Sequence, residues 1–189
     1  MDNNDILIRL RYALDIKDID MVEIFKLGGI DISKKEVQEI LSNSKDSYHD
    51  EDDNDGDIIN NHEDTGNSND DVRNNNQGIY CDNYVLNSFL NGFIIFKRGK
   101  REPKPGQTER PILSIKENED VNNVMLKKLK IALSLKSKDM IDILEKAGVS
   151  IRKTELSALF RKKGHRNYME CGDKYARNFL KGLTIKYRK

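Results

Sequence analysis

The chain is written twice. Residues Asn3 to Leu41 lie over Asn122 to Phe160 at a constant offset of 119 with no gap, and 14 of those 39 pairs are identical. The identities include Asn4/Asn123, Leu7/Leu126, Leu10/Leu129, Ala13/Ala132, Met21/Met140, Ile24/Ile143 and Gly29/Gly148. A second block repeats at offset 90, where Cys81, Phe89, Leu90, Gly92, Ile95 and Arg98 meet Cys171, Phe179, Leu180, Gly182, Ile185 and Arg188. The change of offset implies a 29-residue insertion in the first copy. Such self-similarity constrains the fold before any local reading does, because each copy must be one structural unit. Without the insertion each copy has roughly 70 residues, near the lower limit for a self-sufficient core, so the two halves are expected to pack together.

Charge is segregated along the chain. The formal net charge is +1. Segment 43–78 has 11 acidic and 2 basic residues, whereas segment 119–189 has 18 basic and 8 acidic ones. A basic half beside an acidic tether points to an anionic partner for the basic half. Two cysteines and no CxxC pair make no disulfide framework. The opening MDNNDILIRL lacks the pattern of a signal peptide, and the longest apolar run is Phe93-Ile94-Ile95-Phe96, far short of a membrane span. The expectation is a cytoplasmic protein with no membrane segment.

Helical periodicity covers both copies. Ile6, Leu7, Leu10, Ala13 and Leu14 share one face of a helix over 5–16, and Met125, Leu126, Leu129, Ala132 and Leu133 repeat it. Second helices are predicted over 20–27 and 139–146, with Asp20 and Glu23 at capping-box spacing, and Gly29 and Gly148 end them. A third helix starts near Ser33, and its copy runs from about Arg152 to Lys162. The fourth, over 83–97, buries Val85, Leu86, Phe89, Leu90, Phe93 and Ile94; its copy buries Tyr175, Ala176, Phe179, Leu180 and Leu183, with Asp173 as its N-cap. No segment alternates with period two, so the predicted class is all-α. It comprises two four-helix repeats, 1–98 and 119–189, joined by a linker over 99–118 that holds all three prolines. The Asn/Asp-rich segment 43–78 is too polar to offset its ordering entropy and is expected to be disordered.

The phrases NDILIRLRYAL, LNSFLNGFIIFKRGK, NNVMLKKLKIALSLKSKDM and ECGDKYARNFLKGL resemble the YehS-like family of small bacterial proteins, a domain of unknown function. The resemblance covers about 150 residues and implies the same duplicated layout with a shorter loop in place of the acidic insertion. It brings no activity and no catalytic residues.

Cationic side chains of the second repeat are the leading functional candidates. Lys174, Arg177, Lys181 and Arg188 fall on one side of the last helix. The loop 161–168 adds Arg161, Lys162, Lys163, His165 and Arg166 beside Tyr168, and Lys127, Lys128 and Lys130 decorate the repeat's first helix. Phosphate contacts need cations at this density, because each contact releases a condensed counterion. The competing reading is a solvated charged face. Asp139 to Arg161 has the order helix, glycine turn, helix of a helix-turn-helix, although any two helices meeting at a glycine turn share that order.

Other chemistry is thinly represented. Glu51, Asp53, Asp55, Gly56 and Asp57 mimic an EF-hand loop, but its twelfth position is His62 and no helices are predicted to flank it. Cys81 and Cys171 precede the fourth helices, where a thiol is either activated or a small apolar plug; the plug is favoured, and a reducing compartment argues against a disulfide between them. His49, His62 and His165 lack metal-ligand spacing, and there is no phosphate-binding glycine loop or nucleophile elbow. The sequence therefore points to a non-enzymatic binding protein without metal or cofactor. Its expected partner is DNA or structured RNA, gripped through the basic second repeat. The alternative is an interaction adaptor with a partner protein in the groove between the repeats.

Overall fold

The computed structural model describes residues 1–42, 80–100 and 120–188. They form eight helices and no strand. The first repeat holds α1 (Asn3–Ala13), α2 (Asp18–Leu27), α3 (Lys34–Ser42) and α4 (Asn83–Arg98). The second holds α5 (Val121–Ala132), α6 (Ser137–Lys146), α7 (Lys153–Leu159) and α8 (Asp173–Tyr187).

The helix starts explain where the sequence reading was displaced. Asp20 is not an N-cap: it sits one turn inside α2, and its carboxylate accepts the backbone N–H of Lys17 at 3.3 Å. Asp139 and Glu155 do the same for Lys136 and Arg152 at 2.7 and 2.8 Å. An acid in the first turn satisfies the donor that a short polar cap would otherwise leave exposed, so α2 and α6 begin earlier than predicted. Asp173 is likewise the first residue of α8, after an N-cap at Gly172. Ser33 and Glu36 form the reciprocal capping box expected of them. At the other end α7 stops at Leu159, three residues short of the predicted Lys162, and the chain turns into an irregular loop.

Within each repeat the second and fourth helices cross backbone to backbone. A Cβ added to Gly92 would stand 1.8 Å from the Ile24 carbonyl oxygen, and one added to Gly182 would stand 2.0 Å from that of Ile143. The first repeat interlocks a further glycine, Gly28, against the Ser88 carbonyl at 1.9 Å, where the second has Ala147. Aromatic packing is also particular to the first repeat: Phe25 and Phe89 lie 5.1 Å apart, and Phe89 stacks on Phe93 at 6.2 Å. Leu144 and Leu183 replace Phe25 and Phe93 in the second.

A buried asparagine holds each repeat shut. Asn4 donates to the Ile40 carbonyl at 2.7 Å and accepts from the Cys81 N–H at 3.3 Å. Asn123 donates to the Leu159 and Met169 carbonyls and accepts from the Cys171 N–H at 2.8 Å. Asn4 thus clamps the end of α3 to the start of α4 across residues 43–79. An insertion there costs only the slowly growing entropy of a longer loop.

The repeats associate reciprocally. α5 packs on α4, and α1 packs on α8. Arg98 donates to the Ile131 carbonyl at 3.1 Å, and Arg188, its counterpart, donates to that of Tyr12 at 3.2 Å. The same contact therefore occurs twice with the repeats exchanged, as in an isologous interface of a two-fold dimer. In one seam α5 runs beside α4; in the other α1 runs parallel to α8, with Met1 at Asp173 and Tyr12 at Arg188. The predicted all-α duplication with packed halves is the observed fold.

Candidate nucleic-acid interface

Of the twelve basic residues singled out in the sequence, eleven Lys or Arg and His165, eleven present their heads at or near the surface, and the twelfth does not. Lys128 is 1% exposed, and its ammonium donates to Asn87 and to Asn91, the latter at 2.7 Å, both on α4. It belongs to the seam between the repeats and cannot reach a phosphate in solvent. Its place on the helix explains this, since it lies three residues after buried Met125 on the apolar side of α5.

The remaining residues fall into two groups. The first surrounds a small open pocket of about 70 Å3 between α5 and the loop after α7, lined by Lys127, Arg161, Lys162 and Lys163. Asn123 shapes its floor by holding the carbonyls of Leu159 and Met169. Arg161 is braced by the Asn167 carbonyl at 2.9 Å, and Lys130 lies over the Phe160 ring at 4.9 Å, a cation–π distance. His165 and Arg166 stand exposed on the rim of this loop, which turns at Gly164 with φ of 87°.

One carboxylate tempers the pocket. Asp120 pairs with Lys163 at 2.8 Å and accepts the Tyr168 hydroxyl. Burial alone would raise the Asp120 pKa, but the hydrogen bonds from Lys163 and Tyr168 outweigh it and hold the group below the ordinary range. Burial, and then the Asp120 charge, push the Tyr168 phenol upward, so Tyr168 stays a donor. Lys163 is therefore partly committed, and Lys127, Lys162 and Arg166 offer the more available charge. The sequence reading missed Asp120, because its two partners come from a loop more than 40 residues away.

The second group is the row on α8. Lys174, Arg177 and Lys181 are exposed, and Arg188 stacks on the Tyr12 ring at 3.8 Å. This row does not stand alone: α1 of the other repeat runs along it and brings Arg9, whereas Arg11 on the same helix is committed to Asp18 of α2 at 2.7 Å. The sequence reading placed no first-repeat residue in the candidate interface.

Other expectations resolve more simply. Cys81 and Cys171 are buried, and that burial, with Asp82 and Asp173 nearby, pushes both thiols up to about 12. Both fill a repeated corner as buried plugs, and burial disfavours the reactive thiolate at each. Among the described residues no group of three or more His, Cys, Asp or Glu could hold a metal ion. The EF-hand-like stretch, His49 and His62 lie outside the described residues, as does most of the proline linker. No described helix is long and apolar enough to cross a membrane. The space between the repeats, where an adaptor would hold a partner helix, is occupied along both seams by the chain's own α1 and α5.

Comparison with known proteins gives a consistent picture. The family model described as "Protein of unknown function (DUF1456)" matches residues 3–99 and 122–189, leaving out most of the linker. The chain is 33% identical over 187 residues to the uncharacterized protein YehS of Escherichia coli (strain K12), covering 98% of this chain and 96% of that one. No solved structure matches.

Proposed function

Because the chain belongs to the DUF1456 family, whose function is unknown, we propose its role from its own surface: a non-enzymatic, cytoplasmic binding protein that grips nucleic-acid phosphates through the second repeat. One observation carries this reading. The second repeat has 18 basic against 8 acidic residues, and it displays its cations in two exposed sets, the 161–166 loop and the α8 row. The mechanism is electrostatic. Lysine and arginine heads replace condensed counterions along the backbone, with little contact to base edges. Tyr168 is tied to Asp120 and does not offer its hydroxyl to a base. The helix-turn-helix order of α6 and α7 adds little, because α7 has only seven residues.

Fluorescence anisotropy of the full chain with short duplex DNA and hairpin RNA, repeated across a salt series, tests the reading. Submicromolar binding at about 0.1 M salt that weakens steeply as salt rises is the expected result. Absence of binding even at low salt overturns it.

A further inference from the structure

We propose that the seam between α1 and α8 is a track for the sugar–phosphate backbone built jointly by the two repeats, with Arg177 and Lys181 at its centre and Arg9 alongside. The proposal rests on the reading of the second repeat as a phosphate-binding surface, and it adds the place and the contribution of the first repeat.

The internal symmetry supplies the argument. Offset 119 relates Lys128 to Arg9 and Val124 to Asp5, and offset 90 relates Asn87 to Arg177 and Asn91 to Lys181. The two seams are therefore the same helix pair with different side chains. In the α4–α5 seam one lysine donates to two neutral amides, and Asn87 and Asn91 are only 8% and 6% exposed. In the α1–α8 seam the same three places hold three cations, and the two on α8 are exposed. Two carboxylates stand with them: Asp173, which pairs with the Met1 ammonium and feels the Arg177 charge, and Asp5. Asp5 is 2% exposed; its Oδ1 takes the Arg9 Nε at 2.7 Å, and its Oδ2 accepts no hydrogen bond. Among the described residues these two carboxylates face Arg9, Arg177, Lys181 and the Met1 ammonium, so the described part of the seam keeps a net positive charge. The sister seam shows that the fold packs well with amides at these places. Packing alone does not call for charge at Arg177 and Lys181, and helix–helix contact would be better served without it.

The shape of the charged feature selects the occupant. Lys174 lies at the start of the seam and Arg188 at its end, stacked on exposed Tyr12. From 174 to 188 along the helix is about 21 Å at 1.5 Å per residue. That length matches about six nucleotide steps at 3.4 Å. A row of this kind suits a continuous polyanion better than an isolated phosphate.

The test uses residues that the molecule already employs. In the full chain, R177N/K181N installs the sister seam's amides on α8, and K181N alone is the milder version. D5V/R9Q leaves net charge unchanged while removing the first repeat's cation and its buried partner. Binding to labelled duplex DNA and hairpin RNA is followed from about 0.05 to 0.2 M salt, with thermal melting as the check on folding. The expected result is a salt slope lower by about one unit per α8 cation removed and affinity at least about tenfold weaker for R177N/K181N. K181N should fall between, and D5V/R9Q should be weaker than wild type despite equal net charge. If the wild type binds and the folded α8 variants keep its slope and affinity, the seam proposal fails while the basic-repeat reading stands. Undiminished binding by D5V/R9Q overturns the joint construction. If the wild type binds no nucleic acid at all, both fail. Equal competition by polyglutamate at matched charge would replace the backbone with an acidic peptide as occupant and overturn the proposal.

Discussion

The two inter-repeat seams carry the same helix pair with opposite consequences. One is sealed, with Lys128 buried between Asn87 and Asn91; the other places Arg9, Arg177 and Lys181 at the equivalent positions and leaves the two on α8 open to solvent. Both keep the arginine-to-carbonyl contact at their ends. The geometry needed to hold the repeats together is thus separable from the charge, and the charge differs between the copies. A duplicated fold can keep one seam for stability and release the other for binding.

The comparison breaks most readily at the glycine crossings, which both repeats require. Gly92→Ala would drive a Cβ to 1.8 Å from a backbone oxygen, and Gly182→Ala to 2.0 Å. Backbone cannot yield as a side chain end can, so each substitution should cost about 3 kcal/mol or more, at or beyond the upper range of overpacking. Gly92→Ala should be the worse of the two, because Gly28 closes the same crossing in the first repeat. Chemical denaturation of both variants measures this. Equal and small losses would mean that the crossings relax apart and that the seams inherit no rigid frame.

Removing the cations sharpens the contrast between the seams. Lys128→Met keeps the length of the side chain but leaves the Asn87 and Asn91 oxygens without their donor, for a loss of about 2 kcal/mol. The triple variant K128M/N87L/N91L removes the unpaired acceptors as well and should regain most of that loss. In the open seam Arg9→Gln should cost less, about 1 kcal/mol, because Arg9 is one-third exposed and solvent can approach it. Adding Asp5→Val, as Val124 stands in the sister seam, should return the stability to near wild type by removing the buried carboxylate. A double-mutant cycle on Asp5 and Arg9, read by urea denaturation, checks the coupling. A loss for Arg9→Gln larger than for Lys128→Met would reverse the roles assigned to the seams.

Much of the architecture was legible because it is local or repeated. The offset of 119 and the 3.6-residue periodicity yield the duplication, the order of the helices and the buried faces of the first and fourth helices of each repeat, although Val85, Ile94 and Tyr175 are only partly buried. What escaped depends on partners that residue type alone does not reveal, some local and some distant. Asp20 looks like a cap until Lys17 is seen to donate to it. Lys128 sits in a run of basic residues and reads as surface, yet its partners on α4 lie 37 and 41 residues earlier. A signal for its burial was present: it occupies the Met125 side of the helix, and Asn87 and Asn91 are spaced by one turn. Comparing the copies position by position would also have shown that Arg177 and Lys181 stand where the first repeat has amides. Only the arrangement of the seams gives that substitution a meaning.

The smallest effect concerns the turns that close α1 and α5. Both helices end with a non-glycine residue in the left-handed region, Asp15 at φ of 49° and Ser134 at 54°, and both are closed by the same long backbone bond, Ile16 to Arg11 and Leu135 to Lys130, at 3.0 and 2.9 Å. The left-handed conformation is costly for a residue with a Cβ, and aspartate bears it better than serine. Ser134→Gly should therefore stabilise the chain by up to about 1 kcal/mol, and Asp15→Gly by less. A gain from Ser134→Gly acts at the end of α5, beside the sealed seam where Arg98 meets Ile131; one from Asp15→Gly acts at the end of α1, beside Arg188 and Tyr12. Amide hydrogen exchange at the two helix ends separates them. If the seams differ in openness as their side chains indicate, the α1 end should exchange faster in the wild type and gain the more protection from its glycine. Equal protection at both ends would mean that charge, and not looseness, distinguishes the open seam from the sealed one.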